Sequence, residues 1–356
     1  MEKNKIRVLI AEDSVLIQKV LKNMIENDDR FELVGVAANG KQAVELTQKL
    51  KPDVISMDVN MPELDGVGAT KQIMDIQPTP IVIVSSYYNS SEIELAIRVL
   101  DAGAVTIMEK PNGPGHPKYD YTLRTYLNRL KSMSEIKVVR RKNKDSENKE
   151  VLVKTEKNTK YTYSGNFRFS ILVVGASAGG PESARQLFEK LASDFPLPIV
   201  FVQHIDSHFA DGFAVWLNSY SNIPVVIAYD NQVPEAGKIY MPPGGKHIII
   251  DDNNHLKLVN ETVQNVAVPS VNKLFESAAK VYGSKTIAVI LSGMGRDGAE
   301  MMKKLRNEGA YTYAQDEKTC LVYGMPKEAY NLGAVIKMLS PAEISADISA
   351  LIRNNL

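Results

Sequence analysis

The sequence predicts an α/β protein built from two successive domains, each organised around a mainly parallel sheet. Short β-branched apolar runs alternate with amphipathic stretches, first from Ile6 onwards and again after Ser170. This alternation is typical of doubly wound sheets. Polar residues collect directly after the apolar runs, and the carboxyl ends of parallel strands are where such sheets bind ligands. The length of 356 residues also exceeds that of one ordinary domain.

The composition excludes several classes of protein. The 42 basic and 42 acidic side chains cancel, so no global field draws the chain to nucleic acid or to an anionic membrane. Cys320 is the only cysteine, which excludes an internal disulfide and a thiolate zinc site. No segment resembles a signal peptide or approaches transmembrane length, so we expect a cytoplasmic protein without membrane insertion.

The first domain is predicted to be flavodoxin-like, with a five-stranded parallel sheet. A last amphipathic helix is expected at 119–136, with Leu123, Tyr126, Leu127 and Leu130 on one face. The five strands are predicted from apolar runs at 6–11, 32–37, 53–57, 81–84 and 105–108.

Five polar residues follow the strands of this first domain. Glu12 and Asp13 follow the first run, Asp58 the third, Ser85 the fourth and Lys110 the fifth. Any one of them alone would be typical of a helix cap or a solvated loop. Together they lie at one edge of the predicted sheet, and three carboxylates there would repel one another without a cation. A hard cation with oxygen ligands, Mg²⁺, is therefore expected.

The segment from residue 6 to about residue 130 resembles the receiver domain of bacterial two-component response regulators. The stretch 58–66, DVNMPELDG, is close to the signature around the phosphoryl acceptor of that family. The resemblance implies roles for five side chains: Mg²⁺ binding by Glu12, Asp13 and Asp58, phosphoryl acceptance by Asp58, and a switch formed by Ser85 and Lys110.

Two positions depart from the common receiver pattern. Glu12 stands where the family more often has aspartate, a change that keeps an oxygen ligand for the metal. Ser85 stands where threonine is the usual switch residue, and Ser86 beside it remains the alternative.

A charged segment separates the two domains. Residues 137–160 contain nine basic and four acidic side chains and little apolar surface to offset the entropy of ordering. A flexible linker is favoured over a nucleic-acid patch, because no aromatic stacking pattern or helix-turn-helix accompanies the charge. We therefore predict a receiver domain at 1–134, a linker at 135–168 and a catalytic domain at 169–356.

The second domain is organised around residues 171–181, ILVVGASAGGP. An apolar run stops at small residues and a proline opens a helix, so 175–179 fits Gly-x-Ser-x-Gly with Ser177 on a sharp turn. Small neighbours leave the hydroxyl uncovered, and the helix N-terminus favours a developing oxyanion. The alternative is a dinucleotide-binding turn with Ser177 as a helix cap. That alternative lacks the Gly-x-Gly-x-x-Gly spacing and an acidic residue after the next strand.

Ser177, His204 and Asp297 all follow apolar runs of this second sheet. His204 directly follows the run 199–203, and Asp297 lies in the glycine-rich loop after the run 286–292. A serine, a histidine and an aspartate at one sheet edge are the components of an acyl-transfer triad. Further elements are predicted as a strand at 225–229 and helices at 181–191 and 271–281.

Other residues compete for the histidine and aspartate roles. Asp206 is too close to His204 in sequence to orient its ring easily, whereas Asp230 and Asp316 stay open as alternatives to Asp297. The order Ser, His, Asp differs from that of α/β-hydrolases, so a different, Rossmann-like fold is expected with the same chemistry. Four further histidines are assigned to surface, packing or hydrogen-bonding roles: His116, His208, His247 and His255.

The segment from 171 to about 351 resembles the catalytic domain of the chemotaxis protein-glutamate methylesterase family. Ala178 stands where the family usually has threonine. A receiver joined by a linker to this esterase is the family's own domain order. The motifs that carry the resemblance are GASAGG at 175–180, QH at 203–204, PPGGKH at 242–247, GMGRDGA at 293–299 and YGMP at 323–326.

The resemblance implies a phosphorylation-activated serine hydrolase. It would release methanol from glutamate γ-methyl esters on chemoreceptors, deamidate receptor glutamines, and receive its phosphoryl group from a chemotaxis histidine kinase. Ser177 would be the nucleophile, His204 the base, Asp297 its orienting group and the Met294 backbone N–H an oxyanion donor. The esterase needs no cofactor, and Mg²⁺ belongs to the receiver. The alternative is a response regulator whose second domain binds a partner or ligand without catalysis.

Overall fold

The computed structural model describes residues 5–86, 90–136, 138, 168–261 and 267–354, without the side chains of 90–94, 101 and 354. The chain divides into two compact units, Met1–Lys142 and Asn143–Leu356. The predicted linker at 135–168 lies almost wholly outside the described residues. None of the helices within these ranges combines the length and apolar character needed to cross a bilayer.

The first unit contains the predicted five-stranded parallel sheet. Its order is β2-β1-β3-β4-β5, and every pairing is parallel, which is the flavodoxin-like arrangement. The strands are β1 (Ile6–Ala11), β2 (Phe31–Ala37), β3 (Val54–Met57), β4 (Ile81–Ser85) and β5 (Thr106–Glu109). The helices are α1 (Val15–Glu26), α2 (Gly40–Leu50), α3 (Gly66–Ile76), α4 (Ser90–Asp101) and α5 (Tyr119–Ser134).

The core of the first unit follows the predicted periodicities. β1, β3 and β4 are covered on both faces, which explains their continuous apolar runs. On α5, the predicted face buries Tyr126, Leu127 and Leu130, whereas Leu123 stays partly exposed. The Tyr126 hydroxyl donates a hydrogen bond of 2.9 Å to Ser56 Oγ and so ties α5 to β3.

The second unit is built on a seven-stranded, fully parallel sheet of order β14-β13-β12-β6-β7-β9-β8. A separate antiparallel hairpin, β10 with β11, lies between β9 and the next helix in the chain. The strands are β6 (Ile171–Ala176), β7 (Ile199–Gln203), β8 (Val225–Ile227), β9 (Ile239–Met241), β10 (His247–Ile250), β11 (Leu256–Val259), β12 (Thr286–Ile290), β13 (Tyr311–Gln315) and β14 (Lys337–Leu339).

The centre of this sheet carries the predicted functional edge. β6 is buried along its whole length, with β7 on one side and β12 on the other. α8 buries Val271, Leu274, Phe275 and Ala278, which lie at helical spacing and face this core. The helices of the unit are α6 (Gly180–Phe188), α7 (Ala210–Tyr220), α8 (Val271–Tyr282), α9 (Ala299–Asn307), α10 (Met325–Asn331) and α11 (Pro341–Asn354).

Candidate functional sites

Strand register places Ser177 beside His204. In the parallel pair β6–β7, Ala176 lies opposite Gln203, and the His204 backbone N–H donates to the Ala176 carbonyl at 2.9 Å. The chain leaves both strands at this point, so the next residue of each starts a loop at the same sheet edge. On the other side, the Ser177 N–H donates to the Ser292 carbonyl, 3.0 Å away, just after β12. Ser177 therefore lies between the ends of two neighbouring strands.

The loop after β12 lies directly against Ser177. A Cβ at Gly293 would stand 2.9 Å from the Ser177 Cβ and 2.2 Å from the Met325 sulfur, so this close approach requires glycine. The backbone N–H groups of Met294 and Ala178 have no acceptor among the described residues. Such free donors beside a buried serine are suited to hold an oxyanion.

Asp297 holds the imidazole of His204. His204 Nε2 lies 2.8 Å from Asp297 Oδ2. The same carboxylate accepts hydrogen bonds from Ser270 Oγ at 3.0 Å and from the N–H groups of Val271 at 2.7 Å and Asn272 at 2.9 Å, at the start of α8. Burial alone would raise the pKa of Asp297, but the bonds from His204 and from this helix N-terminus lower it. The group stays ionised and able to fix the imidazole.

The Ser177 hydroxyl makes no hydrogen bond among the described residues. Because His204 Nε2 is bonded to Asp297, Nδ1 is the ring nitrogen left to take a proton from serine. Nucleophile–base hydrogen bonds often tighten only when substrate binds. The structure thus brings His204 and Asp297 into contact and places Ser177 beside them.

The competing aspartates do not contact the His204 ring. Among the other histidines, His247 is fully buried, as expected for the packing or hydrogen-bonding role that the sequence analysis assigned to it. The carboxylates of these competing aspartates instead accept backbone hydrogen bonds elsewhere: within its own turn, Asp206 accepts from His208 at 3.2 Å and Asp316 from Thr319 at 2.9 Å, whereas Asp230 accepts from Leu258 on β11 at 2.8 Å.

Ser270 and His247, which the sequence analysis did not assign to the site, help to position Asp297: Ser270 by direct contact and His247 through Ser270. Ser270 donates its hydroxyl to Asp297, and its backbone N–H donates to His247 Nδ1 at 3.1 Å. Burial, together with the charge of Lys273, lowers the pKa of His247, although Glu261 at 3.0 Å from Nε2 opposes this. The neutral ring is the form that accepts the Ser270 N–H. From sequence, Ser270 is typical of a helix cap, a pattern that does not reveal its bond to a residue 27 positions away.

Ser292 stabilises the loop beside Ser177, and the sequence analysis assigned it no role. Its hydroxyl donates to the Ala178 carbonyl at 2.8 Å and accepts from the Val322 N–H at 3.0 Å. The Gly293 carbonyl accepts from the Met325 N–H at 2.8 Å. These contacts give the 323–326 motif a structural role, which is to fix the loop that presents Met294.

The first unit gathers its acidic residues at one sheet edge. Carboxylate oxygens of Glu12, Asp13 and Asp58 lie within 4.8 Å of one another. Lys110 Nζ is 2.8 Å from Glu12 Oε2 and 3.0 Å from Asp58 Oδ2. Burial and the charge of Asp58 raise the pKa of Glu12 to about 7, and burial also raises the pKa of Asp58 against the effect of Lys110. Buried carboxylates that lie close together repel one another when ionised, and a divalent cation removes that repulsion. The oxygen atoms of this cluster are therefore suited to bind a small divalent cation such as Mg²⁺.

Ser85, the predicted switch residue, contacts the backbone of Lys110 through its own main chain. Ser85 ends β4 and is buried, and its backbone carbonyl accepts a hydrogen bond from the Lys110 N–H at 3.1 Å. Its hydroxyl donates to the Ser86 carbonyl at 3.0 Å. The contact with Lys110 is between main chains, so the choice of Ser85 over Ser86 as the switch residue stays a prediction.

Comparison with known proteins matches each half of the chain to a protein family. Residues 172–348 match the CheB methylesterase family, and residues 8–116 match the response regulator receiver domain. A protein-glutamate methylesterase/protein-glutamine glutaminase of Hahella chejuensis is 39% identical over 97% of this chain and 98% of that protein. A protein of the same name from Methanospirillum hungatei is 38% identical over 97% and 98%. The crystal structure of the Thermotoga maritima CheB methylesterase catalytic domain is 35% identical, covering 52% of this chain and 98% of that chain with a TM-score of 0.49.

Proposed function

Because this chain belongs to the CheB methylesterase family and carries a receiver domain, we propose that it is a protein-glutamate methylesterase and protein-glutamine glutaminase regulated by phosphorylation. Its substrates are the methylated glutamates and certain glutamines of chemoreceptors, on their cytoplasmic side. The proposal is supported by relatives that carry this double name over nearly the whole chain. The His204–Asp297 pair beside Ser177 supports it independently of the names.

The proposed mechanism uses the groups at the carboxyl ends of β6, β7 and β12. Ser177 Oγ attacks the γ-carbonyl of the substrate while His204 Nδ1 takes its proton. Asp297, through Nε2, holds the ring and stabilises the imidazolium. The negative oxygen of the tetrahedral intermediate lies against the Met294 N–H, with the Ala178 N–H as a second donor.

The same sequence of steps accounts for both substrates. His204 returns its proton to the leaving group, which departs as methanol from an ester and as ammonia from an amide. Water then attacks the acyl-enzyme, with His204 as the base, and frees a glutamate carboxylate and Ser177. Apart from this water, the proposed steps use only side chains and backbone groups of the chain.

The receiver half supplies the control. We assign Glu12, Asp13 and Asp58 to Mg²⁺ and Asp58 to the phosphoryl group, which a chemotaxis histidine kinase donates. Mg²⁺ supplies charge neutralisation for the incoming phosphoryl group when bound. The Lys110 ammonium group is paired with the Asp58 carboxylate, and the Lys110 backbone N–H donates to the Ser85 carbonyl. These two residues would respond when the phosphoryl group adds about −1.5 to −2 charge.

One observation carries the esterase proposal: an ionised Asp297 bonded to His204 at the strand end next to Ser177. The test is methanol release from methylated chemoreceptor membranes by wild type and by Ser177→Ala. We expect the variant to lose turnover while its thermal unfolding is unchanged, because a small side chain on a turn adds little packing.

Ser349→Ala is the matched control. Ser349 is also a buried serine of the second unit, and its hydroxyl bonds only within α11 to the Ser345 carbonyl at 2.9 Å. It should keep wild-type turnover. Wild-type turnover by Ser177→Ala would remove Ser177 as the nucleophile, and absence of fluorophosphonate labelling in the wild type would favour a non-catalytic binding domain.

A further inference from the structure

Gln203 joins the two residues proposed as nucleophile and base. Its side-chain Nε2 donates to the Ser177 carbonyl at 2.7 Å and to the His204 carbonyl at 3.0 Å. The side chain is 3% exposed, so water does not substitute for these bonds. One amide group therefore contacts the backbone of both neighbouring loops.

The position of this amide explains why it is needed. The regular β6–β7 ladder ends where the His204 N–H donates to the Ala176 carbonyl. Beyond that bond, nothing in the ladder fixes the distance between the two chains, although the chemistry takes place there. The Gln203 amide supplies the next cross-strand connection, one residue further along. The Ser177 carbonyl also accepts from the Gly180 N–H at 2.8 Å, so its two acceptor positions are filled.

The other atom of the same amide shows that the arrangement has a cost. Gln203 Oε1 is buried without a hydrogen-bond partner. A buried unpaired acceptor is unfavourable, and exchanging the oxygen and nitrogen would bring an oxygen against two carbonyls. Gly180 makes room for it, since a Cβ there would stand 2.3 Å from Oε1. An apolar side chain of the same size would exchange the unpaired Oε1 for an unpaired His204 carbonyl, so hydrogen-bond pairing alone gives glutamine little advantage in stability here.

We propose that Gln203 is a positioning residue for catalysis, which sets the separation of the Ser177 and His204 backbones beyond the end of the strand ladder. This inference rests on the proposed function of the two residues. Gln203 takes no part in proton transfer. Its loss should lower the rate of the chemical step and leave substrate binding in place, since a displacement of about 1 Å at a reacting centre can cost on the order of 10²-fold in rate.

The experiment compares full-length Gln203→Leu with wild type. Leucine keeps the volume and removes both donors together with the unpaired oxygen. Measurements are kcat and KM for methanol release from methylated receptor membranes, and the midpoint of thermal unfolding. We expect kcat to fall by about 10- to 100-fold with KM within about twofold, and the midpoint to stay near that of the wild type.

Thr312→Val is the matched control. Thr312 is fully buried on β13 of the same sheet, and its hydroxyl donates to the Ala334 carbonyl at 2.7 Å. It lies near the amino end of its strand, away from the catalytic edge. This variant also loses a buried donor to a carbonyl, and it should keep the wild-type kcat.

The outcomes separate the two proposals. A wild-type kcat in Gln203→Leu, while Ser177→Ala is inactive, overturns the positioning role and leaves the esterase. An equal loss of kcat in Gln203→Leu and Thr312→Val shows a merely structural role and also overturns it. Turnover by Ser177→Ala overturns the proposed function itself. If Gln203→Leu lacks a cooperative unfolding transition, Gln203→Met, unbranched and equally free of donors, is judged by the same criteria.

Discussion

At the scale of single residues, Asp297 combines two functions that usually belong to different side chains. Its carboxylate holds His204 and at the same time accepts the Val271 and Asn272 N–H groups, which the start of α8 would otherwise leave unpaired. The helix N-terminus in turn stabilises the negative charge that the imidazolium needs. The position of this aspartate, which we propose to be catalytic, is thus coupled to the packing of a whole helix.

The two functions of Asp297 can be separated by substitution. Asp297→Asn keeps an oxygen for α8 but cannot hold the imidazolium, so we expect kcat to fall by about 10³- to 10⁴-fold. Asp297→Ala should lose activity similarly and also lower the free energy of unfolding by about 1 kcal/mol more, the usual effect of losing a helix cap. Methanol release and thermal unfolding of both variants check this. Equal unfolding midpoints for the two variants would contradict the capping role.

His247 predicts a pH dependence of stability. Burial first, and then Lys273, lower its pKa from the ordinary 6.5, while Glu261 and Asp297 oppose the shift. Below about pH 6.5 the unfolded chain therefore takes up a proton that the folded chain refuses, so stability falls as the pH drops through this range. In His247→Gln the fall in unfolding midpoint between pH 7 and 5 should be shallower than in wild type. Parallel slopes would show that His247 does not titrate differently in the folded protein.

At the scale of secondary structure elements, each site is assembled from the ends of parallel strands. In the first unit, Ala11 pairs with Met57 at the ends of β1 and β3, so Glu12 and Asp58 follow side by side. The same geometry brings Ser177 beside His204 through β6 and β7. A parallel sheet thus converts residues distant in sequence into neighbours at one edge.

The strand ends of the receiver predict where phosphate goes. Asp58→Asn should abolish incorporation of phosphate from acetyl phosphate, and chelation of Mg²⁺ by EDTA should do the same in wild type, because the carboxylates need the cation. Asp53→Asn is the control, since Asp53 precedes β3 at the opposite edge of the sheet and accepts the Arg7 N–H at 2.8 Å. Phosphate uptake that persists in Asp58→Asn would place the acceptor at another residue.

The sequence predicted the elements that carry long apolar runs, and the failures have physical causes. β6 and β7 have the predicted bounds because they are buried on both faces. The sequence analysis did not predict β9 and β14, because a strand of three residues is too short to show a hydrophobic periodicity. The strand predicted at 225–229 ends at Ile227, two residues early. Short strands near the sheet margins depend on their neighbours more than on their own residues.

Part of the proposed catalytic site could also be predicted, and the rest depends on contacts between residues distant in sequence. Ser177, His204 and Asp297 follow apolar runs, so the strand pattern alone indicated one edge. The choice of Asp297 over Asp230 and Asp316 depends on where the chain folds back, a contact spanning 93 positions from His204. The hydrogen bond from Ser270 to Asp297 could not be predicted for the same reason, because no local sequence pattern indicates a partner so distant in the chain.

At the scale of the whole molecule, the chain joins a receiver domain to a methylesterase domain. We expect acetyl phosphate with Mg²⁺ to raise methanol release by the full-length protein. Asp58→Asn should show no rise, whereas Asp53→Asn should respond as the wild type does. A rise in Asp58→Asn equal to that of the wild type would mean that acetyl phosphate acts elsewhere than at the receiver.

The size of that rise measures the coupling between the units. To raise the active state from about 1% to about 99% of molecules, phosphorylation must stabilise the active state over the inactive state by about 5.5 kcal/mol. A tenfold change in the ratio of the two states requires about 1.4 kcal/mol. Among the described residues, the cation paired with Asp58 is Lys110, and one such contact favours a graded rise of about tenfold, which corresponds to about 1.4 kcal/mol, over an all-or-none switch. Lys110→Ala should be phosphorylated yet activate less, because it lacks the cation that responds to the phosphoryl group. Full activation of phosphorylated Lys110→Ala would show that the coupling runs through other residues.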